Sequence, residues 1–133
     1  MEKGRANNTI RIPTSLQGNF FRMWIEFLTP LHGLTNREKD VLAAFIKARF
    51  ELSKVIKDEA LLDKVTMSDD IKTKIKAECN VSNAFFQVIL GNLRKLNIIN
   101  NGKIEPRFIP KRIEEGDNSF LLLLYFDLDA RNN

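Results

Sequence analysis

The sequence predicts an α+β domain that is mainly α. Apolar residues recur at helical spacing in four successive stretches between Phe20 and Leu96, and shorter apolar runs broken by turn signals follow from Ile98 onward. With 44% apolar and 29% charged residues among 133, the chain has enough apolar side chain for one core and too little charge imbalance to force disorder. That length predicts a single domain.

Residues 1–8 are polar and read as a basic arm. Thr9-Ile10-Arg11-Ile12 alternates apolar and polar before Pro13, as a short strand stopped by proline or an extended arm with no sheet partner. Residues 1–18 thus stand apart from a domain over 19–133. From Asn19 the period changes: Phe20, Trp24, Phe27, Leu28 and Leu31 predict an amphipathic helix over Phe20–Leu31, ended by Pro30 and Gly33. Its aromatic face, with Phe20, Trp24 and Phe27, is assigned to the core or to a contact between copies.

Thr35 precedes Glu38 by three residues, the spacing of a capping box. Val41, Leu42, Phe45, Ile46 and Phe50 follow, so a long helix is expected over about 36–54. Residues 55–67 suit a short helix or an ordered connection. Ser68-Asp69-Asp70 places a hydroxyl cap and two carboxylates at a helix start. Ile71, Ile75 and Cys79 form one stripe, and Asn80 tolerates the left-handed backbone of a tight reversal. Val81 fills the corner and Ser82 caps a second helix, whose core face is read as Phe85, Val88, Ile89, Leu93 and Leu96. After Asn97, Ile98-Ile99 begins a strand, Asn100-Asn101-Gly102-Lys103 reads as a turn, and Phe120–Leu128 reads as a further strand beyond a polar tip at 114–118.

Helix, turn, helix and then a β-hairpin is a helix-turn-helix over about 68–97 followed by a wing over about 98–128. On Leu34-Thr35-x-x-Glu38-x-x-Val41-Leu42, Asn80-Val81-Ser82 and Leu93-x-x-x-Asn97-Ile98-Ile99, the chain resembles the winged helix-turn-helix superfamily. Small bacterial and phage regulators and plasmid replication initiators are its nearest types. The resemblance spans about residues 34–128. It departs from the family in the long stretch between Phe50 and Ser68, and Asn97 stands where Gly is usual. It implies a C-terminal β-hairpin wing and a second helix lying in the major groove of double-stranded DNA, to which the Phe20–Leu31 helix adds an extra N-terminal amphipathic element.

On that resemblance Ser82, Asn83, Phe86, Gln87, Leu90, Gly91 and Arg94 face the groove. Asn83 and Gln87 suit adenine edges, and Arg94 suits guanine or phosphate. Phe86 and Leu90 do not suit a reading face and are assigned to a protein interface. The charge pattern supports nucleic acid: residues 1–79 hold 14 basic and 11 acidic residues, 80–112 hold 6 and 1, and 113–133 hold 1 and 5. Arg94, Lys95, Lys103, Arg107, Lys111 and Arg112 are expected to form a strip across helix and wing.

Phe120–Leu128, including Leu122 and Leu124, is apolar on both faces of a strand and needs cover on both. The N-terminal helix or a second subunit can supply it, and a homo-oligomer is favoured. Scarcity excludes other functions. One Cys and one His argue against a disulfide framework, a metal site or a Ser-His-Asp relay, and no phosphate-binding glycine motif occurs. No enzyme activity, cofactor or metal is expected. His32 reads as a helix-end residue and Cys79 as a core thiol. With no apolar leader or membrane span, the sequence reads as cytoplasmic. Two functions remain: a DNA-binding regulator of transcription or replication, or a phage virion or assembly protein that uses the same fold to pack against other structural proteins.

Overall fold

The computed structural model describes residues 9–129. Among them are six helices: α1 (Phe20–Phe27), α2 (Thr29–His32), α3 (Asn36–Ser53), α4 (Glu59–Thr66), α5 (Asp69–Cys79) and α6 (Asn83–Lys95). One antiparallel hairpin follows, β1 (Ile99–Asn100) and β2 (Lys103–Ile104), in the register Ile99↔Ile104 and Asn100↔Lys103. The fold is mainly α with a small sheet. The basic arm expected over residues 1–8 lies outside the described residues.

α3 is the central element because its apolar residues are buried along its length: Val41, Leu42 and Phe45 are fully inaccessible, and Ile46 nearly so. Its start is closed by a complete capping box. Glu38 N–H donates to Thr35 Oγ1, and Thr35 N–H donates to Glu38 Oε1 at 2.9 Å. The other Glu38 oxygen accepts from Asn92 Nδ2 of α6, so the same carboxylate ties the start of α3 to α6. α4 is capped by Asp58, α5 by Ser68 and α6 by Ser82. No buried side-chain polar atom among the described residues lacks a hydrogen-bond partner.

Three expectations require correction. The first predicted helix is two, α1 and α2. The chain leaves α-helical geometry at Leu28, and Pro30, which has no N–H, fits the opening turn of α2. α1 buries Phe20, Phe21, Ile25 and the following Leu28, so Phe20 is a core residue and Phe27 and Leu31 are exposed. Trp24 is half-buried against the core, and its indole Nε1–H donates to the Phe108 carbonyl at 2.8 Å.

Second, α6 is rotated by less than one residue from the predicted phase. Phe86, Ile89, Leu90 and Leu93 are buried to 1% exposure or less, whereas Phe85 is 42% and Val88 65% exposed. Phe86 and Leu90 are therefore core residues, with Phe86 stacked on Phe45 of α3 at a 6.1 Å centroid distance. The cause is the run Phe85-Phe86-Gln87-Val88-Ile89-Leu90, which offers an apolar stripe in two adjacent phases.

Third, the hairpin ends at Ile104. Asn101 (φ 55°) and Gly102 (φ 73°) supply the left-handed pair that a two-residue hairpin turn requires. Pro106 has no ladder donor, and the chain passes into a single 3₁₀ turn, Pro106–Phe108. Neither 9–12 nor 120–128 forms a strand, and Ile10 is 83% exposed. Phe120 packs edge-on against Phe20 and Trp24, with centroids 5.2 and 5.7 Å away. Beyond it Leu121, Leu122, Leu123, Leu124, Tyr125, Phe126 and Leu128 lie exposed. The predicted burial of this run, through Leu122 and Leu124, is not found within the single chain.

Candidate nucleic-acid interface

α5 and α6 are joined by the tight reversal at Asn80–Ser82. Asn80 takes the left-handed conformation expected of it (φ 52°), and Val81 N–H donates to the Lys76 carbonyl at 3.1 Å. Arg37, at the start of α3, clamps the reversal from outside: its Nη2 donates to the carbonyls of Cys79 (2.6 Å) and Asn80 (3.2 Å). These are carbonyls left open at the end of α5. Sequence reasoning missed this role, since an arginine 42 residues upstream of its acceptor leaves no local signal. Lys76 Nζ of α5 donates to Asn83 Oδ1 at 3.0 Å and fixes the first residue of α6.

The phase of α6 sets what it presents. Ala84, Gln87, Val88, Gly91 and Lys95 lie outward, with Asn83 and Arg94 along one edge and Phe85 along the other. Of the predicted DNA-binding residues, Ser82, Asn83, Gln87, Arg94 and Lys95 are exposed as expected. A Cβ built at Gly91 would meet no atom within 4 Å, so this glycine, about 1 kcal/mol worse than alanine in a helix interior, answers no internal packing need. It leaves the helix backbone open to close approach from outside.

The predicted basic strip is divided between two hollows that share the hairpin. Lys103, Lys111 and Arg112 line a cavity of about 330 Å³ with Arg49, Phe50, Ile109 and Ile113. Acidic residues occupy it too: Arg49 Nε is 2.9 Å from Asp63 Oδ1, and its Nη2 is 3.7 Å from Glu59. Arg112 stands there in the left-handed region (φ 57°). Arg94 lines the other hollow, about 530 Å³, with Lys64, Lys72, Met67, Asn97, Ile99 and the hairpin turn Asn100–Gly102. No acidic side chain among the described residues lines it. Lys64 and Lys72 were not anticipated as site residues. Arg107 is exposed, its guanidinium 4.9 Å from the centroid of the Phe108 ring.

The remaining chemistry-bearing residues are committed to structure. His32 is buried; Leu34 N–H donates to its Nδ1 and its Nε2 lies 2.9 Å from the Ile25 carbonyl, which sets the Nε2–H tautomer and leaves neither nitrogen free. Burial, reinforced by the nearby Asp40 and Glu78 carboxylates, pushes the Cys79 thiol above its ordinary range, away from the reactive thiolate. No group of three His, Cys, Asp or Glu among the described residues is placed to hold a metal. No helix among them is long and apolar enough to cross a membrane. No protein-family model, curated protein or solved structure matches the chain.

Proposed function

We propose that this chain is a winged helix-turn-helix protein that binds duplex DNA, with α6 against the major groove and the short hairpin beside it as a reduced wing. The reading makes it a small regulator of transcription or replication, of bacterial, plasmid or phage origin. The observation that carries it is the outward face of α6, where Asn83, Gln87, Gly91, Arg94 and Lys95 stand exposed beside the hairpin. The corrected phase of α6 removes the main objection, because Phe86 and Leu90 leave the reading face for the core. In their place Gln87 can pair with an adenine edge, Val88 and Ala84 can meet thymine methyls, and Gly91 admits the groove wall. Arg94, Lys95 and Lys103 grip phosphates.

A fluorescence titration against a random duplex at increasing salt tests this reading. Affinity should fall with salt, and Arg94→Ala or Lys103→Ala should each weaken binding and lower the salt slope by about 1. Absence of binding at low salt, or variants indistinguishable from the parent chain, would overturn it.

The exposed run 121–128 favours a second reading, a homo-oligomeric assembly protein in a virion. Two copies paired through this segment would satisfy its backbone and cover apolar side chains that one chain leaves in water.

A further inference from the structure

We propose that the hollow between α4, α5 and the hairpin is a phosphate-binding site, and that its occupant is a backbone phosphate of duplex DNA reaching beyond α6 to α4. The inference rests on the DNA-binding reading and deepens it. It assigns a contact to α4, within the stretch where the sequence departs from a minimal winged helix.

Three elements each send one cation to this hollow: Lys64 from α4, Lys72 from α5 and Arg94 from α6. None of the three has an ion-pair or hydrogen-bond partner among the described residues. Several cations elsewhere are matched, Arg22 with Asp40, Lys39 with Glu26, Arg49 with Asp63, and Lys54 with Glu51 and Glu115, while Lys95, Lys103, Lys111 and Arg112 also have no ion pair among the described residues. The hollow is a site where positive charge is gathered and left unanswered, walled by Asn97, Asn100 and Asn101, whose amides can donate to a phosphate oxygen.

Lys72 carries the most weight. Lys64 and Arg94 sit in the last turns of their helices, where a cation is stabilised by the helix dipole, and that alone accounts for them. Lys72 is the fourth residue of α5, close to the positive end, where the same dipole disfavours it. Its side chain is also partly buried at the edge of the hollow, with no carboxylate in ion-pair distance among the described residues. An anion in the hollow reverses the dipole's cost. A hollow of about 530 Å³ accommodates a phosphate group with some of its water.

The test compares Lys72→Gln and Lys64→Gln with Lys74→Gln, a lysine of the same helix α5 that does not line the hollow. Each variant is titrated with a random duplex and, by NMR, with inorganic pyrophosphate at low salt. Thermal melting confirms that each remains folded. The expected result is a several-fold loss of duplex affinity for Lys72→Gln and Lys64→Gln, a salt slope lower by about 0.9 for each, and no change for Lys74→Gln. Pyrophosphate should move the amide signals of Asn100, Asn101 and Gly102 in the parent chain and not in Lys72→Gln.

If duplex binds but all three variants match the parent, the phosphate site is overturned while the DNA reading stands. If no duplex binds yet pyrophosphate moves the hairpin signals in a Lys72-dependent way, the phosphate chemistry stands, but its assignment to a DNA backbone falls with the DNA reading. If neither probe binds, both fall.

Discussion

α6 and the segment 121–128 both carry runs of large apolar residues, and they end in opposite environments. α6 buries Phe86, Ile89, Leu90 and Leu93, whereas Leu121 is 77%, Phe126 77% and Leu128 97% exposed. The difference lies in the backbone. A helix satisfies its own N–H and C=O groups and needs to present only one apolar face, which α3 receives. An extended segment needs a paired edge for its backbone, and one apolar on both sides needs cover on both. The only sheet among the described residues has strands two residues long and offers no such edge. Apolar content therefore decides burial only when the backbone has somewhere to go.

The largest effect that sharpens this contrast is within α6 itself. Phe86→Ala should cost about 3–5 kcal/mol, since it empties a fully buried ring site against Phe45. Phe85→Ala should change stability by no more than about 0.5 kcal/mol. Chemical denaturation of the two variants reads the helix phase directly; equal losses would contradict it.

A smaller loss is expected at the start of α3. Thr35→Ala removes the hydroxyl of the capping box and should cost about 1 kcal/mol by the same measurement. No loss would show that the box does not hold α3.

Acid should loosen the packed body through Glu26. The Lys39 ammonium, seconded by Arg22, holds its carboxyl down at about 2 against an ordinary 4.5. A depressed carboxyl contributes stability that is complete above about pH 4.5 and is lost as pH falls toward 2. Glu26→Gln should thus lower the melting temperature at pH 7 and flatten its decline between about pH 5 and 2. An unchanged acid branch would refute the pairing.

At the other end of the comparison, Leu122→Ser with Leu124→Ser should leave stability within about 0.5 kcal/mol, because neither side chain is in the core. If copies associate through this segment, the same double variant shifts sedimentation toward monomer. A marked loss of stability in a monomeric sample would mean that the segment is packed after all.

What the sequence made legible follows the same division. Capping residues and left-handed turns are local, and Thr35, Ser68, Asn80 and Ser82 stand where their chemistry predicted. Helix phase was not legible where apolar residues are adjacent, as at Trp24-Ile25 and Phe85-Phe86, because two stripes fit alike until a neighbouring helix selects one. The strand expected at 120–128 failed because an apolar run does not state whether a partner exists. In the candidate site, Arg94 was legible from its place at the end of α6. Lys64 and Lys72 were not, because their elements meet the hairpin only in three dimensions.

The central claim is that α6 and the hairpin form the surface that meets DNA. NMR titration of the chain with a random duplex at low salt tests it most directly. The account predicts that amide signals of Gln87, Gly91, Arg94 and Lys103 move together while those of 121–128 stay in place. Movement confined to 121–128, or none anywhere, would contradict it.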